Sequence, residues 1–154
     1  MAKESAGILL FRMQKTSLEV LLAHPGGPFW KNKDIGAWTI PKGEIGEGED
    51  KLQAALREAR EELGVTVTGD HTVALSPVKL KSKKVIYAWA IEMDVDVTDI
   101  HSNTFDLEWP PGSGVMKAFP EIDRAEWFSV GEGLEKINAG QRPLIEELIQ
   151  KLLP

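Results

Sequence analysis

The sequence predicts an α+β fold in which amphipathic helices pack on a mixed β-sheet, and three observations carry that expectation. Two strand-like apolar segments near the N-terminus are separated by a short polar stretch, a helical apolar stripe follows, and further strand-like segments lead to a second stripe at the C-terminus. At 154 residues, the chain is expected to form one domain spanning 1–154.

Ser5 to Met13 and Leu18 to His24 are rich in strand-forming residues, and Gln14 to Ser17 reads as the turn of a hairpin. His24-Pro25-Gly26-Gly27-Pro28-Phe29-Trp30 then interrupts regular structure, and a short strand is expected at Ala37 to Ile40, stopped by Pro41. From Asp50 to Leu63, residues Leu52, Ala55, Leu56, Ala59 and Leu63 recur at helical spacing, and Gly64 stands where a C-terminal cap belongs. Val65 to Thr68, Thr72 to Leu80 and Lys84 to Met93 read as strands. Val97 to Lys117, which contains Trp109-Pro110-Pro111-Gly112-Ser113-Gly114, has no clear period and is expected to be a long loop. Ala125 to Phe128 makes a further strand, Ser129 and Glu132 have the spacing of a capping box, and Pro143 starts a terminal helix through Leu144, Ile145, Leu148 and Leu152.

Composition narrows the function classes. The longest apolar runs, Gly7 to Phe11 and Val20 to Ala23, are far shorter than the roughly 20 residues of a membrane-spanning helix, so no membrane contact is expected. The opening Met1-Ala2-Lys3-Glu4-Ser5 lacks the apolar region of a secretory signal, and with no cysteine there are no disulfides or thiolate metal ligands. A cytoplasmic address is the simplest expectation. The formal charge of −6 speaks against a stable nucleic-acid complex. It leaves open an anionic substrate whose charge is screened by divalent cations.

The informative segment is Gly43-Glu44-Ile45-Gly46-Glu47-Gly48-Glu49, then seven residues, then Arg57-Glu58-Ala59-Arg60-Glu61-Glu62-Leu63-Gly64-Val65. Glu58, Glu61 and Glu62 are spaced i, i+3, i+4, which puts them on one side of a helix, away from the apolar stripe. Carboxylates so close repel, by a few tenths of a kcal/mol for an i, i+4 pair. A hard divalent cation that bridges carboxylates to phosphate oxygens would compensate. The plainer alternative is a solvated charged face, partly neutralised by Arg57 and Arg60. Seven fixed residue types at about 7% usage each coincide by chance on the order of once in 10⁸ placements, which favours the functional reading.

These 23 residues, Gly43 to Val65, resemble the Nudix box, Gly-x5-Glu-x7-Arg-Glu-U-x-Glu-Glu-x-Gly-U with U apolar. Every fixed position matches, and Ala59 at the first U is smaller than the usual aliphatic. The preceding Trp38-Thr39-Ile40-Pro41-Lys42 resembles the family's lead-in and adds Lys42 as a candidate substrate contact. The resemblance implies an α/β/α sandwich and a phosphoanhydride hydrolase using Mg²⁺ or Mn²⁺. It implies Glu58, Glu61 and Glu62 as metal ligands with the Gly43 carbonyl, Arg57 orienting a carboxylate within the catalytic set, and Glu49 and Gly64 supporting the box. A carboxylate from outside the box is implied shortly before Glu126-Trp127, which points to Glu121 as ligand or base, although a solvated loop glutamate is the alternative. For the general base, Glu61 or Glu62 comes first and Glu121 second.

Substrate choice rests on less. Lys81-Ser82-Lys83-Lys84-Val85-Ile86-Tyr87 is similar to the matching strand of asymmetrical diadenosine tetraphosphate hydrolases, which implies Lys83 and Tyr87 as phosphate and base contacts. Read without that resemblance, the lysines guard an edge strand and Tyr87 and Trp89 belong to the core. His24, Phe29, Trp30 and Trp109 offer a base sandwich or mere packing anchors. The expected substrate is a dinucleoside polyphosphate, with diadenosine tetraphosphate giving ATP and AMP. The rivals are a MutT-like triphosphate pyrophosphohydrolase, RNA 5′-end removal, and a nucleotide-binding module without turnover.

Overall fold

The computed structural model describes residues 3–69 and 71–153. Strands β1 (Glu4–Gln14) and β2 (Ser17–Pro25) form the expected hairpin, with Phe11 to Gln14 antiparallel to Val20 to Ser17. The two strands then part, and the chain from Trp38 to Glu44 enters the gap between them. Thr39 exchanges backbone hydrogen bonds with Ala23 at 2.8 and 2.9 Å, and the Ile8 N–H donates to the Pro41 carbonyl at 3.1 Å. Strand β3 (Lys42–Glu44) then pairs with Ser5 to Gly7. The strand expected at Ala37 to Ile40 is therefore displaced, since Trp38 and Thr39 make only isolated bridges and the ladder begins after Pro41. Proline lacks a donor but keeps its acceptor, so Pro41 passes the chain into the ladder instead of stopping it. Gly7 makes this approach possible, because a Cβ there would lie 2.7 Å from the Pro41 oxygen.

Helix α1 (Lys51–Leu63) follows a short loop. The Asp50 side chain accepts from the Gln53 N–H, and Gly64 at φ 73° closes the helix by donating to the Arg60 carbonyl at 2.8 Å. Its buried Ala54, Ala55, Ala59 and Leu63 pack on Ala6, Ile8, Leu10 and Leu21. Val65 to Thr68, expected as a strand, joins no ladder. The free side of β6 (Val85–Glu92) is taken by β4 (Thr72–Ala74) and β5 (Val78–Lys79), and Val65 and Val67 pack against the α1 core instead. The expected strand Thr72 to Leu80 is split into those two pieces because Ser76 gives its N–H to Glu147 at 2.7 Å and Pro77 has none to give.

Strand β6 runs parallel to β1 from Glu4 to Phe11, while the other pairings are antiparallel, so the sheet is mixed. The expected loop Val97 to Lys117 is instead a short 3-10 turn followed by a separate hairpin, β7 (Thr104–Glu108) and β8 (Met116–Pro120). Only Phe105 and Leu107 carry its alternation, too few apolar residues to reveal a period of two. Strand β9 (Ile122–Ser129), longer than expected, completes the main sheet beside β2. The Ser129 hydroxyl accepts from the Glu132 N–H at the start of α2 (Val130–Lys136), and α3 (Arg142–Leu152) ends the fold.

Alternate residues of β1 serve two cores. Ala6, Ile8 and Leu10 face α1, whereas Leu9 and Phe11 join Val20, Leu22, Trp38 and Ile86 beneath Leu144, Ile145 and Leu148 of α3. The result is the expected α/β/α sandwich, with the period of two in β1 setting which side chain meets which helix layer. Among the described residues no helix is long and apolar enough to cross a membrane.

Candidate active site

A cleft of about 380 Å³ opens where three elements meet: β3 supplies Lys42, Gly43 and Glu44, α1 supplies Glu58, Glu61 and Glu62, and the base of the β7–β8 hairpin supplies Asn103, Thr104 and Glu121. The structure thus gathers six sequence-predicted positions, Lys42, Gly43, Glu58, Glu61, Glu62 and Glu121, into one cleft, with Arg57 and Glu49 behind it. Gly43 is needed for close approach, since a Cβ there would overlap the Glu58 carboxylate. Gly43 also lies opposite Ala6 in the β1/β3 ladder. The flanking Glu4/Ile45 and Ile8/Pro41 bonds, 3.1 Å each, put Gly43 in the hydrogen-bonding register, which leaves its carbonyl one further lone pair.

Arg57 is the clasp of the box. Its Nε and Nη2 donate to the two Glu49 oxygens at 2.8 and 2.9 Å, Nη1 donates to Glu58 at 2.8 Å and Glu61 at 3.1 Å, and Nη2 also reaches the Glu44 carbonyl at 3.1 Å. The planar guanidinium fork suits this task. Glu49 further accepts from the Gly46 N–H at 2.8 Å, and the Arg57 bonds, then this one, hold its carboxyl down at about 2. Arg57 therefore positions carboxylates, and Glu49 supports the loop.

Glu62 is different in kind. Burial, with the like charges of Glu58 and Glu121, pushes its carboxyl up to about 8, against a hydrogen bond from the Lys42 backbone N–H at 3.2 Å. Burial also raises Glu58, opposed by Arg57. The Lys42 ammonium is lowered by burial and by neighbouring Lys84, with Glu62 and Glu58 acting the other way.

Glu121 reaches the cleft through backbone bonds. Asn103 donates its N–H to the Glu61 carbonyl at 2.9 Å, accepts from the Glu121 N–H at 2.8 Å, and the Glu121 carbonyl accepts from Gly26 at 2.9 Å. The same stretch satisfies the Leu63 carbonyl through the His101 N–H at 3.1 Å, so the last turn of α1 and the hairpin are fastened together.

Lys83 and Tyr87 do not line this cleft. Lys83 is exposed at the turn into β6 with φ 72°, while the Tyr87 hydroxyl donates to Glu4 at 2.9 Å and Lys51 Nζ sits 3.9 Å from its ring centre. Trp89 packs in the α1 core. His24 is fully buried, with Nδ1 2.9 Å from Asp123 and Nε2 2.7 Å from the Lys33 carbonyl. His24 is an anchor for the loop after β2 and is no base-stacking surface. Sequence reasoning missed Glu44, Asn103 and Thr104, for which no motif signals a site role; Lys84 was visible only as one lysine of the run Lys81-Ser82-Lys83-Lys84.

The residues suit a hard divalent cation. One oxygen each of Glu58, Glu61 and Glu62 is hydrogen-bonded (Oε1, Oε2 and Oε1), leaving the other without a protein partner among the described residues. No three His, Cys, Asp or Glu groups converge as a closed cage among the described residues, so gathering them round one ion takes side-chain rotation about these anchors.

Comparison with known proteins identifies the family. The NUDIX domain family model matches residues 1–148. The asymmetrical bis(5′-nucleosyl)-tetraphosphatase of Caenorhabditis elegans is 32% identical over 149 residues, covering 90% of this chain and 96% of that protein. Among solved structures, a binary complex of the C. elegans Ap4A hydrolase superposes with a TM-score of 0.68 at 22% identity, over 96% of this chain and 97% of that one. The NUDIX domain of Shewanella oneidensis NrtR, complexed with ADP ribose, gives 0.67 at 19% identity over 99% and 89%. With its box complete, its cleft built from that box, and the family model running along nearly its whole length, the chain belongs to the Nudix family of hydrolases.

Proposed function

We propose that the cleft hydrolyses a phosphoanhydride bond in a dinucleoside polyphosphate, splitting diadenosine tetraphosphate into ATP and AMP with Mg²⁺ or Mn²⁺. The observation that carries this reading is the set of three helix glutamates, each with one oxygen anchored and one available, facing Lys42 and Glu121 across a single cleft. The 32% identity to the C. elegans asymmetrical tetraphosphatase over nearly its full length supports the substrate class.

Glu58 and Glu61, with the Gly43 carbonyl and Glu121, would hold the divalent cation, and Glu62 would join them only where its free oxygen is not taking the proton. Bound there, it would supply charge neutralisation on the phosphate chain and an acidified water. Arg57 keeps Glu58 and Glu61 aimed into the cleft, and Lys42 adds positive charge where phosphate oxygens lie. Glu62 is placed as the base, ahead of Glu61 and Glu121, because burial raises its carboxyl in the metal-free cleft, which makes it the cleft carboxylate that holds a proton most strongly. Attack by water needs no covalent intermediate on the protein.

The test is a product-resolved chromatographic assay with Mg²⁺, offering diadenosine tetraphosphate, nucleoside triphosphates and ADP-ribose separately. ATP plus AMP from the first is expected. Pyrophosphate from a triphosphate would move the chain to the MutT-like class, and no metal-dependent turnover would leave a binding module.

A further inference from the structure

A second concavity, of about 460 Å³, lies between the loop after β2 and the β7–β8 hairpin. Its size falls in the range of about 300–1,000 Å³ found for small-molecule sites. Pro28, Trp109 and Phe119 form its walls, and Lys31, Lys117 and Asp123 supply its polar points. Phe29 meets the Trp109 ring edge to face, with centroids 5.6 Å apart at 86°. Phe29 is 59% exposed, so the aromatic surface continues outward from the groove.

The two walls are locked to each other. A Cβ on Gly26 would overlap the Pro120 carbonyl, and Gly27, at φ 94°, lies against the Phe105 ring. The groove also adjoins the acidic cleft, because Pro120 lines the one and Glu121, the next residue, lines the other.

We propose that this groove binds the base of a nucleotide whose phosphate chain lies in the acidic cleft, a proposal that rests on the phosphoanhydride reading of that cleft. Indole and phenyl faces stack on any heterocycle. Lys31 and Lys117 match phosphate oxygens. Asp123 gives one oxygen to His24, and its second is an acceptor for an amino or hydroxyl group. An aliphatic or peptide ligand would use the walls but leave the two ammonium groups without a counter-charge. Tyr87, the other candidate for stacking, has Lys51 over its ring and its hydroxyl on Glu4.

Calorimetric titration of the full chain with AMP and with ribose 5-phosphate isolates the base, since the two ligands differ only there. Wild type should bind AMP about tenfold more tightly than ribose 5-phosphate, the scale of one stacked base. Trp109→Ala and Phe119→Ala should each shrink that ratio to about twofold, Trp109→Phe should keep most of it, and Lys117→Ala should weaken both ligands while preserving it. Equal affinities in wild type would overturn the proposal. So would an undiminished ratio in both alanine variants, or a ratio that collapses in Tyr87→Ala instead. No turnover is involved, so a chain that shows the predicted ratios yet hydrolyses no dinucleoside polyphosphate refutes the substrate reading and keeps the groove. Hydrolysis with ratios blind to Trp109 and Phe119 does the reverse.

Discussion

Residues 43–64 and residues 101–121 build opposite sides of one cleft by different means. The first side is held by side chains: five hydrogen bonds from Arg57 fasten Glu49, Glu58, Glu61 and the Glu44 carbonyl. The second is held by the backbone: Asn103 and Glu121 are joined to Glu61, to each other and to Gly26 through main-chain N–H and carbonyl groups. A side held by charge should respond to pH and to substitution of its ionic partners. A side held by backbone should tolerate most side-chain changes and fail when an N–H is removed.

The largest effect expected on the charged side is from Glu62→Gln, which should lower turnover by about 10²- to 10⁴-fold, the usual worth of a general base. Its stability signature has a definite sign. Burial pushes the folded carboxyl up to about 8 from its ordinary 4.5, so between those values the folded state binds more protons and stability falls as pH rises. Thermal melts of metal-free protein should show that decline in wild type and lose this part of it in the variant, which should be the more stable of the two at pH 8. If Glu121→Gln costs more turnover than Glu62→Gln while leaving metal affinity unchanged, the base lies on the other side of the cleft.

Arg57→Ala should reduce activity by about 10- to 100-fold, as loss of a group that orients metal ligands does, with metal affinity falling in parallel by titration. Glu49, held at about 2 by Arg57, binds fewer protons folded than unfolded below about 4.5. Its contribution to stability is present above that pH and is lost as pH falls towards 2. Acid titrations should show this component in wild type and not in Arg57→Ala.

The smallest effects sharpen the contrast from the backbone side. Asn103→Ala should change stability by no more than about 0.5 kcal/mol, because the N–H and carbonyl that join Glu61 to Glu121 remain. Asn103→Pro deletes the donor to the Glu61 carbonyl and should cost about 1–3 kcal/mol by urea unfolding. Equal costs would show that the Asn103 side chain, and not its backbone, carries the join.

Legibility followed the same division. Asp50, Gly64 and the i, i+3, i+4 glutamates act within a few residues of themselves, so the α1 boundaries and the charged face were readable to within a residue. Thr104 to Glu108 shows no usable period, because Phe105 and Leu107 are its only half-buried apolar residues and the turn of its hairpin is a proline-glycine run that reads as loop. Glu121 was marked by family resemblance, but its route into the cleft depends on Asn103, a residue with no signature. His24, Phe29, Trp30 and Trp109 looked alike as loop aromatics. The structure buries His24 against Asp123 and leaves Phe29 edge-on to Trp109 beside an open groove.

By itself the sequence determined the α+β class, the capped α1 and the carboxylates it displays, since each depends on spacing along one element. Tertiary structure alone decided that Lys42 to Glu44 wedge between β1 and β2, that Val65 to Thr68 find no sheet edge, and that the hairpin delivers Glu121 opposite Glu62. Those outcomes turn on which ladder positions remain unoccupied once distant strands have paired, and a ladder vacancy is a property of two segments together, written in neither one.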